Sequence, residues 1–339
     1  MRHLLPVLAL SIALTACTAV PTIDPSPTAI PSPTVTPSPT VTPSPTVDPA
    51  DLVTSTFVHL EDLQKVADDA GGSRATGTEG YAGSLAYAER VLTAAGFTVT
   101  RQEAEAPGRR PPADEPGAIV PVVNLIAEGP AAPSGRVVML GAHLDSVGAG
   151  PGINDNASGV ALTLALAEQL AAEDGAAGLR VALWDAEELG LLGSGAYLRG
   201  LAPDEVGRIS AYINLDMVAS PNGLVGIYGD GPARRALEQP LRDRGRDYEG
   251  VSIDGASDHA WFDGQGISVA GLYTGAGESL SAAESEVFGG TADAARDVCY
   301  HRACDTVASV DTPEVRSRLL VIADASLQGL RTLLGEVQG

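Results

Sequence analysis

Residues 137–172 read VVMLGAHLDSVGAGPGINDNASGVALTLALAEQLAA, and the fold is decided by how this stretch is read. Val137 to Ala142 is a short, unbroken apolar run, the form a strand takes when both faces of its sheet are covered. It leads directly into His143-Leu144-Asp145. A glycine-rich turn carrying Asp155 follows, and Ser158 to Ala172 then reads as a long apolar helix. A strand, a turn bearing polar groups and a helix form the repeating unit of a sheet sandwiched by helices.

The same alternation continues on both sides. Upstream, Thr78 to Ala95 reads as a helix stopped by Gly96, with strands at Phe97 to Gln102 and Val122 to Ile126. The Pro- and Arg-rich stretch Glu103 to Ala118 between them reads as a flexible loop. Downstream, strands are expected at Arg180 to Trp184, Ala211 to Leu215 and Ser268 to Tyr273. Helices are expected at Glu188 to Arg199, Ala233 to Arg244 and Thr312 to Leu334, with a Gly/Ser/Ala-rich loop running to about Ala292. The expected fold class is α/β, with a mixed, mostly parallel central sheet and helices on both faces.

The N-terminal fifty residues do not belong to this pattern. Met1 to Ala16 has a basic start, an apolar run too short to span a bilayer comfortably and small residues before Cys17, which is an export signal. Leu14-Thr15-Ala16-Cys17 resembles the lipobox of bacterial lipoproteins, in which the cysteine becomes the lipidated N-terminus; an ordinary signal peptide with Cys17 left free is the alternative. Residues 17–50 repeat Pro-Ser-Pro-Thr-Val-Thr and form a disordered tether, roughly thirty residues that at about 3.1 Å each reach about 90 Å. Residues 51–339 make one catalytic domain. The expected location is extracytoplasmic, lipid-anchored at the cell surface or shed. The only expected membrane contact is the lipidated N-terminus.

The chain carries 43 acidic against 21 basic residues, a net charge of -22, so phosphate backbones and anionic membranes would repel it and nucleic acid is not an expected partner. Three cysteines are an odd number for an exported protein. With Cys17 lipidated, Cys299 and Cys304 remain as a local pair, either a disulfide, which persists in an oxidising compartment, or two buried thiols.

Chemistry-bearing residues stand where the strands end. Ala142 is followed by His143 and Asp145, Trp184 by Asp185-Ala186-Glu187-Glu188, and Leu215 by Asp216, while Cys299-Tyr300-His301 adds a second imidazole far downstream. Open sheets of this kind bind ligands at the carboxyl ends of their strands. Taken singly, each acid is ordinarily a cap or a solvated charge and each histidine a structural one. Together, His143, Asp155, Glu188, Asp216 and His301 offer the imidazoles and carboxylates that catalytic zinc accepts. They are too many for one zinc and suit two metals sharing one carboxylate.

The strings Gly-Ala-His143-Leu-Asp145-Ser, Gly-Ile-Asn-Asp155-Asn-Ala-Ser-Gly, Ala-Glu187-Glu188-Leu-Gly, Asn-Leu-Asp216-Met, Ser257-Asp258-His259 and Cys299-Tyr300-His301-Arg-Ala-Cys304-Asp305 resemble, in order, those of the co-catalytic di-zinc aminopeptidases of the Streptomyces griseus type. The similarity runs from about residue 55 to the end. It implies a three-layer phosphorylase/hydrolase-like sandwich and removal of N-terminal, mostly apolar residues from peptides with a free N-terminus. It also implies two Zn2+ ions, with Asp155 bridging, His143 and Asp216 on one ion and Glu188 and His301 on the other. Glu187 then corresponds to the general base and Tyr300 to a donor toward the oxyanion. Asp145 reads as the acceptor that fixes the His143 tautomer. Asp305 reads as a brace for the His301 loop, the Cys299–Cys304 bond as a constraint on that loop, and His259 as structural support.

The sequence departs from the family at Ala256, where relatives carry arginine, and no calcium site aligns around Arg316 to Leu320. A monomer is expected. The rival readings are a related carboxypeptidase or dipeptidase, a cyclising transferase using one zinc, and a binding lipoprotein that has lost catalysis; the complete ligand set argues against the last two.

Overall fold

A computed structural model describes residues 48–108, 118–173, 175–253 and 255–339. The export signal, Cys17 and nearly all of the tether lie outside the described residues, as does most of the Pro/Arg-rich stretch. Eight strands form one sheet: β1 Thr98–Gly108, β2 Ala118–Glu128, β3 Val137–His143, β4 Leu179–Trp184, β5 Ile209–Leu215, β6 Gly226–Gly229, β7 Glu249–Gly250 and β8 Ser268–Tyr273. Their order is β1-β2-β4-β3-β5-β8-β6-β7. The central strands β4, β3, β5 and β8 are parallel, whereas β1, β2 and β6 join antiparallel. The sheet is therefore mixed, with its parallel part buried at the centre as that pairing requires.

The helices are α1 Pro49–Asp69, α2 Glu79–Ala94, α3 Ser158–Ala172, α4 Leu192–Gly200, α5 Pro203–Arg208, α6 Gly231–Asp243, α7 His259–Asp263, α8 Ala282–Phe288, α9 Val307–Val310 and α10 Pro313–Gln338. Alternation along the strands explains why there are three layers. Val138, Leu140 and Ala142 of β3, with Val181, Leu183, Ile213 and Leu215, pack against α1, α2, α3, α6 and α10. Their neighbours Val137, Met139, Trp184 and Tyr212 face the other way and pack against Tyr197 and Leu198 of α4 and Phe262 of α7. Both faces of β3 are apolar because both are covered.

The structure differs from the sequence expectation in several places, and β6, β7, α5, α7 and α9 are short elements that the sequence reading did not include. The helix expected from Glu188 begins only at Leu192, because Ala186 and Leu191 adopt left-handed backbone at φ 54° and 58°. The intervening loop hands the Glu187 and Glu188 amides to Asp145 instead. Glu103 to Gly108 is strand rather than loop, paired through to Ala118. The Gly/Ser/Ala-rich segment contains α8, whose start is fixed by a reciprocal cap between Ser281 and Glu284. Helix α1 is an addition to the expected elements; its apolar stripe, including Leu52, Phe57, Leu60 and Leu63, is buried against the core.

Close packing places the turn that carries Asp155. Ile153–Ala157 makes a kinked wide turn before α3, entered through Gly152 at φ 62°, closed by the Ala157 amide on the Gly152 carbonyl and non-helical at Asp155 and Asn156. A Cβ on Gly159 would sit 2.2 Å from the Leu215 carbonyl, so only glycine lets the start of α3 meet the end of β5.

Candidate active site

The carboxyl ends of β3, β4 and β5, the Asp155 turn and the Cys299–Cys304 loop meet at one rim of the sheet. They line a cavity of about 560 Å³ that holds His143, Asp155, Glu187, Glu188, Asp216, Tyr300 and His301 together. His143 Nε2 is 3.2 Å from Asp155 Oδ1 and 3.5 Å from Asp216 Oδ1. His301 Nε2 is 3.1 Å from both Asp155 Oδ2 and Glu188 Oε2. Asp155 thus turns one oxygen toward each imidazole.

Two groups of metal-binding atoms result. His143, Glu187 and Asp216 bring one ligand atom each within 4.8 Å of one another, and so do Asp155, Glu188 and His301. Glu188 Oε1 is buried without a hydrogen-bond partner, a costly state for a carboxylate unless a cation serves it. Imidazole nitrogen and carboxylate oxygen suit a zinc-like divalent ion. The residues present therefore fit such an ion, in two candidate groups.

The electrostatics follow from crowding acids in a dry place. Burial opposes ionisation of Asp155, yet hydrogen bonds and charge from His143 and His301 hold its carboxyl well below the usual range. Hydrogen bonds to Asp155 and Glu188 push His301 up to about 10. Burial lifts Glu187 well above the ordinary glutamate range, with His143 opposing and Asp216 reinforcing the shift. The Glu187 side chain makes no hydrogen bond or ion pair to the described residues and opens into the cavity. Tyr300 stacks on His301 with ring centroids 3.9 Å apart, and burial raises its phenol.

Around these groups stand the residues that orient them. Asp145 Oδ1 lies 3.4 Å from His143 Nδ1, at the long edge of contact, and the same carboxylate accepts the amides of Glu187 at 3.1 Å and Glu188 at 3.3 Å. Asp305 accepts the amides of Asn154 at 2.7 Å and Asp155 at 3.0 Å, so it joins the His301 loop to the Asp155 turn. The disulfide pairs Cys299 with Cys304 across a Cα separation of 5.2 Å, and His301 within it has φ 58°. His259 lies outside the cluster, its ring 4.8 Å from that of Tyr228. Ala256 lines the cavity without reaching any charge.

Several supporting residues carried no signal in the sequence. Arg74, fully buried, donates to the carbonyls of Pro151 at 2.8 Å, Leu144 at 2.5 Å and Gly152 at 2.6 Å, pinning the loop between His143 and Asp155. Thr76 donates to Asp145 and Asp185. Asp185 accepts the Val123 amide, and burial pushes its carboxyl up to about 7. Asp258 accepts from Ser194 Oγ and is raised to about 7, again chiefly by burial. The short polar string Ser73-Arg74-Ala-Thr76 before a helix looks like an ordinary loop.

This architecture defines a metal-dependent hydrolase of the α/β type. Residues 124–326 match Peptidase family M28, and the chain belongs to that family. It is 40% identical over 263 residues to leupeptin-inactivating enzyme 1 of Streptomyces exfoliatus, covering 75% of this chain and 56% of that one. It is also 40% identical over 207 residues to a probable lipoprotein aminopeptidase, LpqL, of Mycobacterium tuberculosis, covering 56% of this chain and 41% of that one. The chain thus spans about half the length of these curated relatives. The fold is that of BSAP, a zinc aminopeptidase from Bacillus subtilis, with a TM-score of 0.65 at 16% identity over 81% of this chain and 94% of that one.

Proposed function

We propose that this chain is a zinc-dependent aminopeptidase that hydrolyses the first peptide bond of peptides with a free, preferably apolar N-terminal residue. The observation that carries the proposal is that Asp155 turns one oxygen toward His143 and the other toward His301, each imidazole standing among further carboxylates, with Glu187 at the His143 end. His143, Asp155 and Asp216 would hold one zinc and Asp155, Glu188 and His301 the other. Zinc supplies polarisation of the scissile carbonyl and a water acidified to a pKa of about 7.

The chain's own residues do the rest. Glu187, half-buried and open to the cavity, takes a proton from the attacking water and returns it to the leaving amine. Tyr300 donates a hydrogen bond to the oxyanion that forms on the carbonyl oxygen. Asp216 and Glu187 supply negative charge for the free α-amine, and the walls of Met217, Val251 and Ile253 receive an apolar side chain. Asp145 holds the Glu187–Glu188 backbone so that adjacent carboxylates serve different ends.

The aminopeptidase names of the relatives support this reading, as does the lipoprotein among them for an exported, lipid-anchored protein. In that arrangement Cys17 carries lipid, the tether runs from there to about Asp48, where α1 starts, and a monomeric domain from that point faces outward, where a Cys299–Cys304 disulfide persists.

Hydrolysis of leucine p-nitroanilide with and without a chelator, and by Glu187→Ala, tests the proposal. Activity should vanish on chelation, return with zinc, and fall in the variant by roughly 100-fold or more, the worth of a positioned base. Equal cleavage of acetyl-leucyl and free leucyl peptides would instead favour a carboxypeptidase or dipeptidase. A single bound zinc per chain would favour the cyclising transferase.

A further inference from the structure

We propose that Asn154 and Asp297 form a latch that positions His301, and thereby sets the affinity of the metal position made by Asp155, Glu188 and His301. The inference rests on the two-metal reading above and assigns work to two residues that reading leaves unused.

Asn154 is fully buried beside the bridging Asp155, and its side chain reaches two other ligand-bearing segments. Its Nδ2 donates to Asp297 Oδ2 at 2.6 Å and to Ser220 Oγ at 3.0 Å, while its Oδ1 accepts the Ala219 amide at 3.0 Å. Ser220 and Ala219 follow Asp216 on the segment leaving β5. Asp297, also buried, uses its other oxygen to accept the Cys299 amide at 2.7 Å. One amide side chain therefore ties the turn of Asp155 to the segment of Asp216 and to the root of the His301 loop.

The His301 loop needs such a tie. His301 arrives from far along the chain and sits in left-handed backbone, which costs a non-glycine residue about 1–2 kcal/mol. Its imidazole is 40% exposed, and the ring stacked on it is that of Tyr300, its neighbour on the same loop, so neither the core nor another element holds it. The disulfide closes the loop on itself but does not fix it to the rest of the site. Asp305 ties the far end of the loop to the Asp155 turn, and Asp297 ties its root, because it grips the Cys299 amide with one oxygen and Asn154 with the other. His143, by contrast, stands on β3 and is held by the sheet. The latch should therefore act on one metal position and spare the other.

Both Nδ2 hydrogens of Asn154 are committed, so the amide can face only one way. Asn154→Asp keeps the volume but sets oxygen against oxygen at Asp297. Asp297→Asn in that background restores a donor: the new amide nitrogen faces the carboxylate introduced on the Asp155 turn, while the remaining oxygen still accepts the Cys299 amide.

The experiment measures zinc dissociation constants for both equivalents by chelator competition, with kcat and KM alongside, for the wild type, Asn154→Asp, Asp297→Asn and the double variant. His301→Ala marks which equivalent belongs to the His301 position. Asn154→Asp is expected to weaken that equivalent about 10–100-fold, the usual cost of losing a partner behind a metal ligand, and to leave the other unchanged. The double variant is expected to recover most of the loss, which a general packing defect would not do. Should Asn154→Asp fail to fold, Asp297→Asn alone, which loses the grip on Cys299, is expected to loosen the same equivalent. If the wild type binds two zinc ions and the variants keep both affinities, or the double variant is no better than the single, the latch is wrong and the metal reading stands. A wild type that takes up no zinc overturns both.

Discussion

Arg74 carries a full positive charge into the core without touching a carboxylate. Burial lowers it to about 10, opposed by the nearby charges of Asp145, Asp305, Asp155 and Glu188, so it stays protonated at neutral pH. Its planar fork satisfies three carbonyls that face inward only because the chain must turn between His143 and Asp155. Arg74→Met leaves those carbonyls and the neighbouring acids without it, and the expected loss is about 3–5 kcal/mol, the scale for removing one member of a buried charged set. Arg74→Lys keeps the charge but has one compact head instead of a fork, so it should lose clearly less. Urea denaturation of the zinc-free protein measures both. An equal loss in the two variants would mean that the charge by itself contributes nothing at this loop and that the fork geometry accounts for the whole effect.

At the scale of elements, the central strands and α3 were legible because burial on both faces leaves a simple mark, an unbroken run of Val, Leu, Ile and Ala. The strand ends were legible for the same reason, since His143 and Asp216 follow such runs immediately. Loop shape was not. The segment after Glu188 has helical composition, yet its backbone bends away to give two amides to Asp145, a tertiary demand that local propensity does not record. Arg74, Asn154 and Asp297 were invisible because their partners are backbone atoms or residues far off in the chain. Helix α1 was hidden by the Pro-Ser-Thr tract that runs into it at Pro49. It is nevertheless integral: Leu52, Val53, Phe57, Leu60 and Leu63 are all at most 5% exposed. At about 1.5–3 kcal/mol for each buried side chain, their removal matches the whole stability of an ordinary domain, about 5–15 kcal/mol. A chain truncated to begin at Gly71 is therefore expected not to fold, whereas one beginning at Asp48 should. Circular dichroism and soluble yield separate the two, and a native-like spectrum from the shorter chain would show that α1 is dispensable.

For the whole molecule, the decisive fact is that five groups from His143 to His301 converge while the chain as a whole carries a net charge of -22. Asp155, Glu187, Glu188 and Asp216 share one cavity, with Asp145 and Asp305 directly behind it. Folding must bring these carboxylates together against their mutual repulsion and out of water, at a cost that the two imidazoles and Arg74 offset only in part. That convergence was legible in the sequence as a set of strand-end residues, but its electrostatic cost was not, because the cost depends on how dry the cavity is. Divalent cations that bind the folded chain and not the unfolded one should return much of it. With free zinc at about 1,000 times its dissociation constant, each site adds about 4 kcal/mol. For a domain of this size two such sites correspond to a rise in Tm of about 10 °C. Thermal melts after exhaustive chelation and after adding back two equivalents of zinc measure it, with magnesium as the control, since an imidazole at each group favours zinc over that ion. Identical melts in all three conditions would mean that the cluster holds no stabilising metal, and the carboxylates would then need another source of compensation.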